Sequence, residues 1–151
     1  MDEVTIRDLT SGDKEIFCEL ALSFYKSDAV YKNISRERLC STFYACVNNS
    51  PLVRGMLVFY KDMISGYVLL TFSYSNEFGG KIMSIDEIYI KDEYRRKGVA
   101  SCVVSTVIAE YEHEVPYVEI VVRKDNATSI SLWNKFDFAP NDYLTMHKFL
   151  V

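Results

Sequence analysis

The chain has 151 residues, of which 49% are hydrophobic and 25% are charged, and its formal net charge is −4 at pH 7. This composition predicts one globular domain, residues 1–151, and excludes a disordered chain. The negative charge argues against nucleic acid or an anionic membrane surface as the main partner. No apolar stretch approaches the roughly 20 residues that a membrane-spanning helix needs.

The first half of the chain predicts a strand, two helices and a hairpin, in that order. Residues 4–7 alternate as a strand does, and apolar residues between Ile16 and Phe24 recur at helical spacing. Ser35 can cap a second helix, which the run N-N-S-P at residues 48–51 ends. Residues 53–60 and 63–74 have strand composition and are joined by a short turn, so we expect a hairpin.

The second half predicts a central strand, a helix, another strand, a helix and a last strand. Residues 82–90 are rich in β-branched residues and tyrosine, and apolar residues from Val99 to Tyr111 follow the helical period. Strands are expected at 117–122 and 143–150, with a helix between them that Asn126 caps. This order predicts an α+β fold with one mixed, mostly antiparallel sheet.

The cysteines indicate neither a metal site nor a disulfide framework. The chain has four cysteines and two histidines, and no two cysteines form a C-x-x-C pair. We therefore expect no bound metal, and a reducing cytoplasm as the location.

A basic, glycine-containing run joins the central strand to the helix that follows. Residues 95–100 read R-R-K-G-V-A. The first turn of a helix has unpaired N–H groups and the positive end of the helix dipole. Gly98 and Ala100 leave these amides accessible, so the run can form a phosphate cradle. It lacks the ending of an ATP-binding loop, and a helix start that binds nothing is the alternative.

The same run matches the R/Q-x-x-G-x-G/A signature of the GCN5-related N-acetyltransferases. Residues 86–95, D-E-I-Y-I-K-D-E-Y-R, resemble the strand and loop of the spermidine/spermine acetyltransferase branch. F-Y-K-S-D-A-V at 24–30 and Y-L-T-M at 143–146 resemble uncharacterised bacterial members. The resemblance implies a single-domain acetyltransferase fold, with a six- to seven-stranded sheet and about four helices. Its fourth and fifth strands would splay apart to admit acetyl-CoA.

The resemblance also implies which residues hold acetyl-CoA as the co-substrate. Backbone groups of Ile88, Tyr89 and Ile90 would bind the pantetheine arm and polarise the thioester carbonyl, since fixed N–H donors stabilise an oxyanion. Asn126 matches the family asparagine that meets this arm, and it can cap its helix at the same time. The phosphates would be held by the loop and the first helical turn: Arg95, Arg96, Lys97, Gly98, Val99, Ala100 and Ser101.

An acidic pair precedes these strand residues. An alkylamine has a reference pKa of about 10, so it must lose a proton before it attacks the thioester. Asp86 stands where the polyamine branch has its base, and Glu87 is the second candidate. Strand alternation sends the two to opposite faces unless a bulge exchanges them. Either carboxylate could instead only attract the substrate or pair with a basic neighbour.

The acceptor pocket and the general acid are less well defined. Family members build the pocket from the loop that here contains Asp28 and Tyr31, and Asp86 would face it; Asp28 could equally act in a turn. Trp133 stands in the slot where many relatives have a tyrosine that protonates the CoA thiolate. An indole N–H donates hydrogen bonds but is no useful acid, so solvent or another hydroxyl, such as that of Tyr143, would serve.

These features predict an N-acetyltransferase that moves the acetyl group to a primary amine of a small molecule by direct attack in a ternary complex. Two alternatives remain: a CoA-binding or sensing module without turnover, and an acetyltransferase for protein or peptide amines. The expected partner is the small-molecule amine. The resemblance also implies a possible homodimer, because many relatives are dimers.

Overall fold

Nine helices and strands follow one another in the computed structural model, which describes residues 3–30 and 33–150. The strands are β1 (Val4–Asp8), β2 (Val53–Tyr60), β3 (Met63–Ser75), β4 (Gly80–Ile90) and β5 (Val118–Glu119). The helices are α1 (Lys14–Tyr25), α2 (Arg36–Val47), α3 (Val99–Tyr111) and α4 (Ala127–Asn134). Short 3₁₀ turns lie before α1 and after β4. No helix of the described ranges is both long and apolar enough to cross a bilayer.

The five strands form one sheet in the order β1-β2-β3-β4-β5. The first four are antiparallel to their neighbours, and β5 runs parallel to β4. Alternate residues of β2 and β3 pack into two separate hydrophobic cores, one on each face of the sheet. Leu57 and Tyr67 pack against α1 and α2 on one face, whereas Met56 and Val68 pack against α3 on the other. The expected α+β class and the expected mixed sheet are both confirmed.

The strand count of the sheet differs from the expectation of six to seven. Residues 117–122 were expected as a strand, but only Val118 and Glu119 pair with β4. The expected strand at 143–150 does not form, and its residues are exposed. A strand pattern describes side chains that fit a pleated surface, but a strand also needs a neighbour for its backbone groups. Beyond Val118 and Glu119, which pair with β4, neither stretch pairs with a strand of the described residues.

A β-bulge interrupts β4 next to its centre. Leu69 of β3 pairs with Glu87 and Leu70 pairs with Ile85, so Asp86 has no partner of its own across the strand pair. Ile85 consequently packs in the core beneath α3, while Glu87 contacts side chains on the α1 face. The extra residue changes the alternation that the sequence predicts for the acidic pair.

A buried carboxylate fixes the connection between β1 and α1. Asp13 is 7% exposed and accepts two hydrogen bonds from the Arg7 guanidinium, at 2.7 and 3.0 Å. It also accepts bonds from the backbone N–H and the hydroxyl of Thr10, at 2.7 and 2.9 Å. The bond from Arg7 is the largest cause that lowers the pKa of Asp13 to about 2.

We expect Asp13→Asn to lower the free energy of unfolding by about 1–3 kcal/mol at pH 7, because a charge-assisted cluster loses its charge. The contribution of Asp13 is fully present above its usual pKa range and is lost as the pH falls toward about 2. The two proteins should therefore converge in stability on acidification in urea titrations. The matched control is Glu15→Gln, which removes an exposed ion pair with Arg36 and should change stability by less than about 1 kcal/mol. Equal losses in the two variants would contradict the assignment.

Candidate functional site

A cleft with a volume of about 1290 Å³ opens where β4 and β5 part. Past Ser84 and Glu119 the two strands no longer pair, so the end of β4 has one free side. The structure places ten of the expected cofactor residues on the cleft wall: Ile88, Tyr89, Ile90, Arg95, Arg96, Gly98, Val99, Ala100, Ser101 and Asn126. Lys97 is not on this wall; its ammonium lies 5.6 Å from the ring centres of both Tyr60 and Tyr94.

The backbone of β4 presents two N–H groups to this free side. The N–H of Lys91 donates to the carbonyl of Ser65 in β3 at 2.8 Å. Alternate residues of an antiparallel strand direct their N–H groups to the same neighbour. Ile88 and Ile90 therefore direct theirs away from β3 and toward the cleft, whereas that of Tyr89 faces β3 across from Tyr67. Of the three expected backbone contributors, two have the required orientation.

The loop after β4 leaves the first turn of α3 uncovered. Gly98 caps α3 with a φ of 76°, in the left-handed region that favours glycine, and it offers no side chain to the first amides of the helix. A Cβ built at Gly98 meets no atom within 4 Å, so the space above it is open. Arg96 also has a positive φ, of 59°. These free amides and the helix dipole together suit an anion.

Arg95 fastens this loop to the end of β4. Its Nε donates to the carbonyl of Ile90 at 2.9 Å, and Nη1 pairs with Asp92 at 2.9 Å. The guanidinium lies 5.8 Å from the ring centre of Tyr89. The side chain therefore braces the loop, in addition to placing a positive charge at the cleft.

Asn126 and Trp133 face the cleft from α4. The Asn126 side-chain oxygen accepts a bond from the N–H of Ser129 at 3.1 Å, so its expected capping role is present. Trp133 is 5% exposed, and its indole N–H donates to the Ser129 hydroxyl at 3.1 Å. The only polar hydrogen of this side chain is thus engaged within its own helix.

Glu87 is the buried member of the acidic pair. It is 7% exposed, and its two carboxylate oxygens accept bonds from the hydroxyls of Tyr25 at 2.5 Å and Tyr67 at 2.6 Å. Burial raises the pKa of Glu87, and the two tyrosine hydroxyls oppose this shift. Burial and the nearby Glu87 raise the pKa of both tyrosines, so these hydroxyls stay protonated and donate at neutral pH. The sequence analysis missed both tyrosines, because nothing in a helix end or an apolar strand marks them as partners of Glu87.

Asp86 is exposed and has no hydrogen-bonding or ionic partner within the described part of the chain. Part of the residue is open to solvent, but the protein around its carboxyl partly desolvates that group and raises its pKa. It lines the cleft and also a second cavity of about 390 Å³, which lies on the α1–α2 face of the sheet. Glu87 lines this second cavity too. The regular alternation expected for the two carboxylates is interrupted by a bulge, the exception that the sequence analysis allowed for. The bulge does not exchange the two residues but brings both to the lining of this cavity.

The expected acceptor residues are not all brought together. Asp28 lines the cleft, and its carbonyl accepts a bond from Arg123 at 2.8 Å. Tyr31 lies outside the described residues. Tyr143 is 73% exposed at the turn between β3 and β4, where its hydroxyl bonds with Glu77 at 3.0 Å, and it lines neither cavity. The pattern of residues 143–150 predicts a strand, but it does not predict where in the fold that segment lies.

The described residues contain no group of three or more His, Cys, Asp or Glu side chains that could hold a metal ion.

The cleft combines the three features described above: an anion cradle at the start of α3, two backbone N–H groups on the open side of β4, and the unpaired carboxylate of Asp86.

Comparisons with known proteins show the same fold in several solved structures. The chain resembles the crystal structure of a possible acetyltransferase from Clostridium difficile 630, with a TM-score of 0.86, 16% identity and 99% of each chain covered. It also resembles the ribosomal-protein-alanine N-acetyltransferase from Brucella melitensis biovar Abortus 2308, with a TM-score of 0.79, 16% identity, and 97% of this chain and 99% of that chain covered.

A third similar structure is the aminoglycoside N-acetyltransferase AAC(6')-Iy in complex with the bisubstrate analog CoA-S-monomethyl-acetylneamine. Its TM-score is 0.78 at 10% identity, with 98% of this chain and 99% of that chain covered. At these identities the structures show the fold alone. No curated protein matches the sequence. The family model of the acetyltransferase (GNAT) family matches residues 15–138, which is most of the chain. This protein is therefore a member of the acetyltransferase (GNAT) family.

Proposed function

We propose that this protein transfers the acetyl group of acetyl-CoA to a primary amine of a small molecule, by direct attack of the amine in a ternary complex. The observation that carries the proposal is the position of Asp86, which lines both the cleft and the second cavity. An unpaired carboxylate between two cavities can serve a reaction in which one cavity holds the acyl donor and the other holds the amine.

The cleft fits acetyl-CoA, which supplies an activated acyl thioester. The open space above Gly98 and the first turn of α3, whose amides no side chain caps, suit its pyrophosphate. Arg95 and Arg96 add positive charge on the same wall. The N–H groups of Ile88 and Ile90 are oriented to stabilise an oxyanion at the thioester carbonyl.

Asp86 is the proposed base. Its carboxylate is free to take a proton from an alkylammonium, directly or through water. Glu87 is unsuited to this task because a tyrosine hydroxyl already occupies each of its oxygens. The thiolate that leaves takes its proton from solvent in this proposal, since the Trp133 N–H is engaged with Ser129 and the Tyr143 hydroxyl lies with Glu77.

Two observations bear on the competing functions. A CoA-binding module without turnover would not need an unpaired carboxylate at the junction of two cavities, so Asp86 favours catalysis. An acetyltransferase for proteins or peptides needs an open groove for a chain. The second cavity, at about 390 Å³, suits a small molecule better.

We also propose a cytoplasmic location and a homodimer. Four free cysteines suit a reducing compartment. Large apolar side chains are exposed along the end of the chain, namely Tyr143, Leu144, Met146, Phe149 and Leu150. Val121, just past β5, is exposed as well. One chain thus carries both an open sheet edge and, at 143–150, an exposed segment of strand composition that forms no strand, so two copies can complete each other's sheets.

The homodimer proposal predicts that size-exclusion chromatography with light scattering finds a dimer. Met146→Lys should shift it toward monomer, because a charge replaces an apolar contact. Thr145→Lys adds the same charge at the neighbouring polar position and should shift the protein toward monomer much less. A wild-type protein that stays monomeric at high concentration would contradict the proposal.

For the donor cleft, we expect Gly98→Glu to abolish most binding of CoA in calorimetry. The substitution adds an anion beside the phosphates, and it places a side chain at a φ of 76° that only glycine adopts easily. The control is Gly12→Glu, at a glycine whose Cβ also meets no atom within 4 Å and which lies outside the cleft. A folded Gly98→Glu protein with unchanged CoA affinity would show that the phosphates bind elsewhere.

For the base, we expect Asp86→Asn to lower the rate at neutral pH by roughly 10²–10⁴-fold, the usual contribution of a positioned base. CoA affinity should barely change, because Asp86 lies apart from the phosphate cradle. The defect should shrink as the pH rises toward the pKa of the amine, where solvent supplies free amine. In the wild type, the rate should fall as the pH drops through the pKa of Asp86, which partial burial raises.

The comparison variant is Glu87→Gln, which should cost much less rate. Free-thiol release from acetyl-CoA across pH 6 to 10 is the measurement. Equal rates for Asp86→Asn and wild type would remove Asp86 from the mechanism, and a large loss only in Glu87→Gln would identify the other carboxylate as the base.

A further inference from the structure

The second cavity has a mostly apolar wall. Side chains from α1, the segment before α2, α2 itself and the strands beneath supply this wall: Phe17, Ile34, Leu39, Ala45, Val53 and Leu69. Phe17 and Leu39 support this wall from behind, at 1% and 2% exposure, whereas Ile34, Ala45 and Val53 are partly exposed on it. The apolar contacts open to a substrate body therefore come mainly from these three side chains.

Six polar residues also line the cavity, namely Tyr25, Ser41, Thr42, Thr71, Asp86 and Glu87. The hydroxyl hydrogens of three of them are engaged. The hydroxyl of Ser41 donates to the carbonyl of Glu37, and that of Thr42 donates to the carbonyl of Arg38, each at 3.2 Å. Both therefore spend their only hydrogen within α2. The hydroxyl of Tyr25 donates to Glu87. These groups offer little to a substrate that carries many hydrogen-bonding groups.

The charges of the cavity allow one cation. Among the described residues that line it, Asp86 and Glu87 are acidic, and none is lysine or arginine. Glu87 is 7% exposed and holds a tyrosine hydroxyl on each oxygen, so Asp86 is the acid that a substrate can reach. The two acids are adjacent in the chain, so a second ammonium at the far end of a substrate would find no further carboxylate among these residues. Hydroxyl oxygens alone would offset its lost hydration only in part. A substrate carboxylate would likewise find no cation among these residues.

We propose that the acceptor is a primary monoamine on an apolar body, an alkyl- or arylalkylamine, with its amino group at Asp86 and its body along the wall of the second cavity. This inference rests on the proposed acetyl transfer and narrows its substrate class. Polyamines, aminoglycosides and amino acids are poor acceptors under this proposal, because each brings a further charge or several polar groups into the cavity.

The test compares hexylamine with 1,6-diaminohexane, which has the same chain length and one additional ammonium. Free-thiol release from acetyl-CoA is measured at one pH with the wild-type protein. We expect kcat/KM for hexylamine to exceed that for the diamine by at least about 10-fold, because the second charge is desolvated without a carboxylate partner. The kcat/KM values for spermidine and an aminoglycoside should be as low as that for the diamine.

The outcomes separate this inference from the proposed function. Equal or faster turnover of the diamine, spermidine or the aminoglycoside would overturn the inference and leave acetyl transfer standing. Absence of thiol release with every amine, while CoA still binds, would overturn both.

A pair of variants tests the placement of the substrate body. Thr42→Asp puts a carboxylate on the cavity wall and should move the ratio of the two kcat/KM values at least about 5-fold toward the diamine, since the second ammonium gains a partner. Thr106→Asp is the matched control: its hydroxyl makes the same kind of bond, to the carbonyl of Cys102 at 2.9 Å, on α3 and away from the cavity. It should leave the ratio unchanged.

An unchanged ratio in a Thr42→Asp protein that binds CoA normally would mean that the body does not lie along this wall, and would overturn the placement. The wild-type comparison of hexylamine with the diamine decides the substrate class even if this variant does not fold.

Discussion

The extra residue in β4 is the constraint on which the site depends. Without a bulge, Ile85 and Glu87 would lie on the same face of the sheet, and Asp86 would lie on the other. With it, Ile85 stays in the core under α3, Glu87 enters the α1 face, and Asp86 is left without a cross-strand partner. A bulge disturbs a ladder at a local cost. Here the bulge leaves the carboxylate of Asp86 unpaired at the junction of two cavities.

The divergence of β4 and β5 has an equally local origin. Two pairs join the strands, and past them the end of β4 keeps its ladder to β3 while its other side is open. The strand can therefore be rigid and still offer backbone N–H groups to a ligand. Loops that must position donors usually move more than strands do. In this protein the donors at Ile88 and Ile90 belong to a strand that the sheet holds from one side.

The sequence predicted the cleft better than the second cavity. The residues around Gly98 are adjacent in the chain, so a local pattern there specifies both the turn and the helix start. The second cavity is assembled from residues far apart in the chain, such as Tyr25, Thr42 and Glu87, and only tertiary packing brings them together. The prediction of a strand at 143–150 was wrong for a related reason, since strand composition does not specify which neighbour a strand will pair with.

The buried bonds of Glu87 link helix and sheet in a way that bears on how the protein opens. Tyr25 ends α1, Tyr67 lies in β3, and the carboxylate between them is almost fully enclosed. If α1 lifted from the sheet, one of these bonds would break while Glu87 remained largely desolvated. The last turn of α1 is thereby tied to the strand that carries Asp86. Local unfolding of the helix and loss of the ordered second cavity then become one cooperative event, so slow hydrogen exchange at the end of α1 would report an intact cavity.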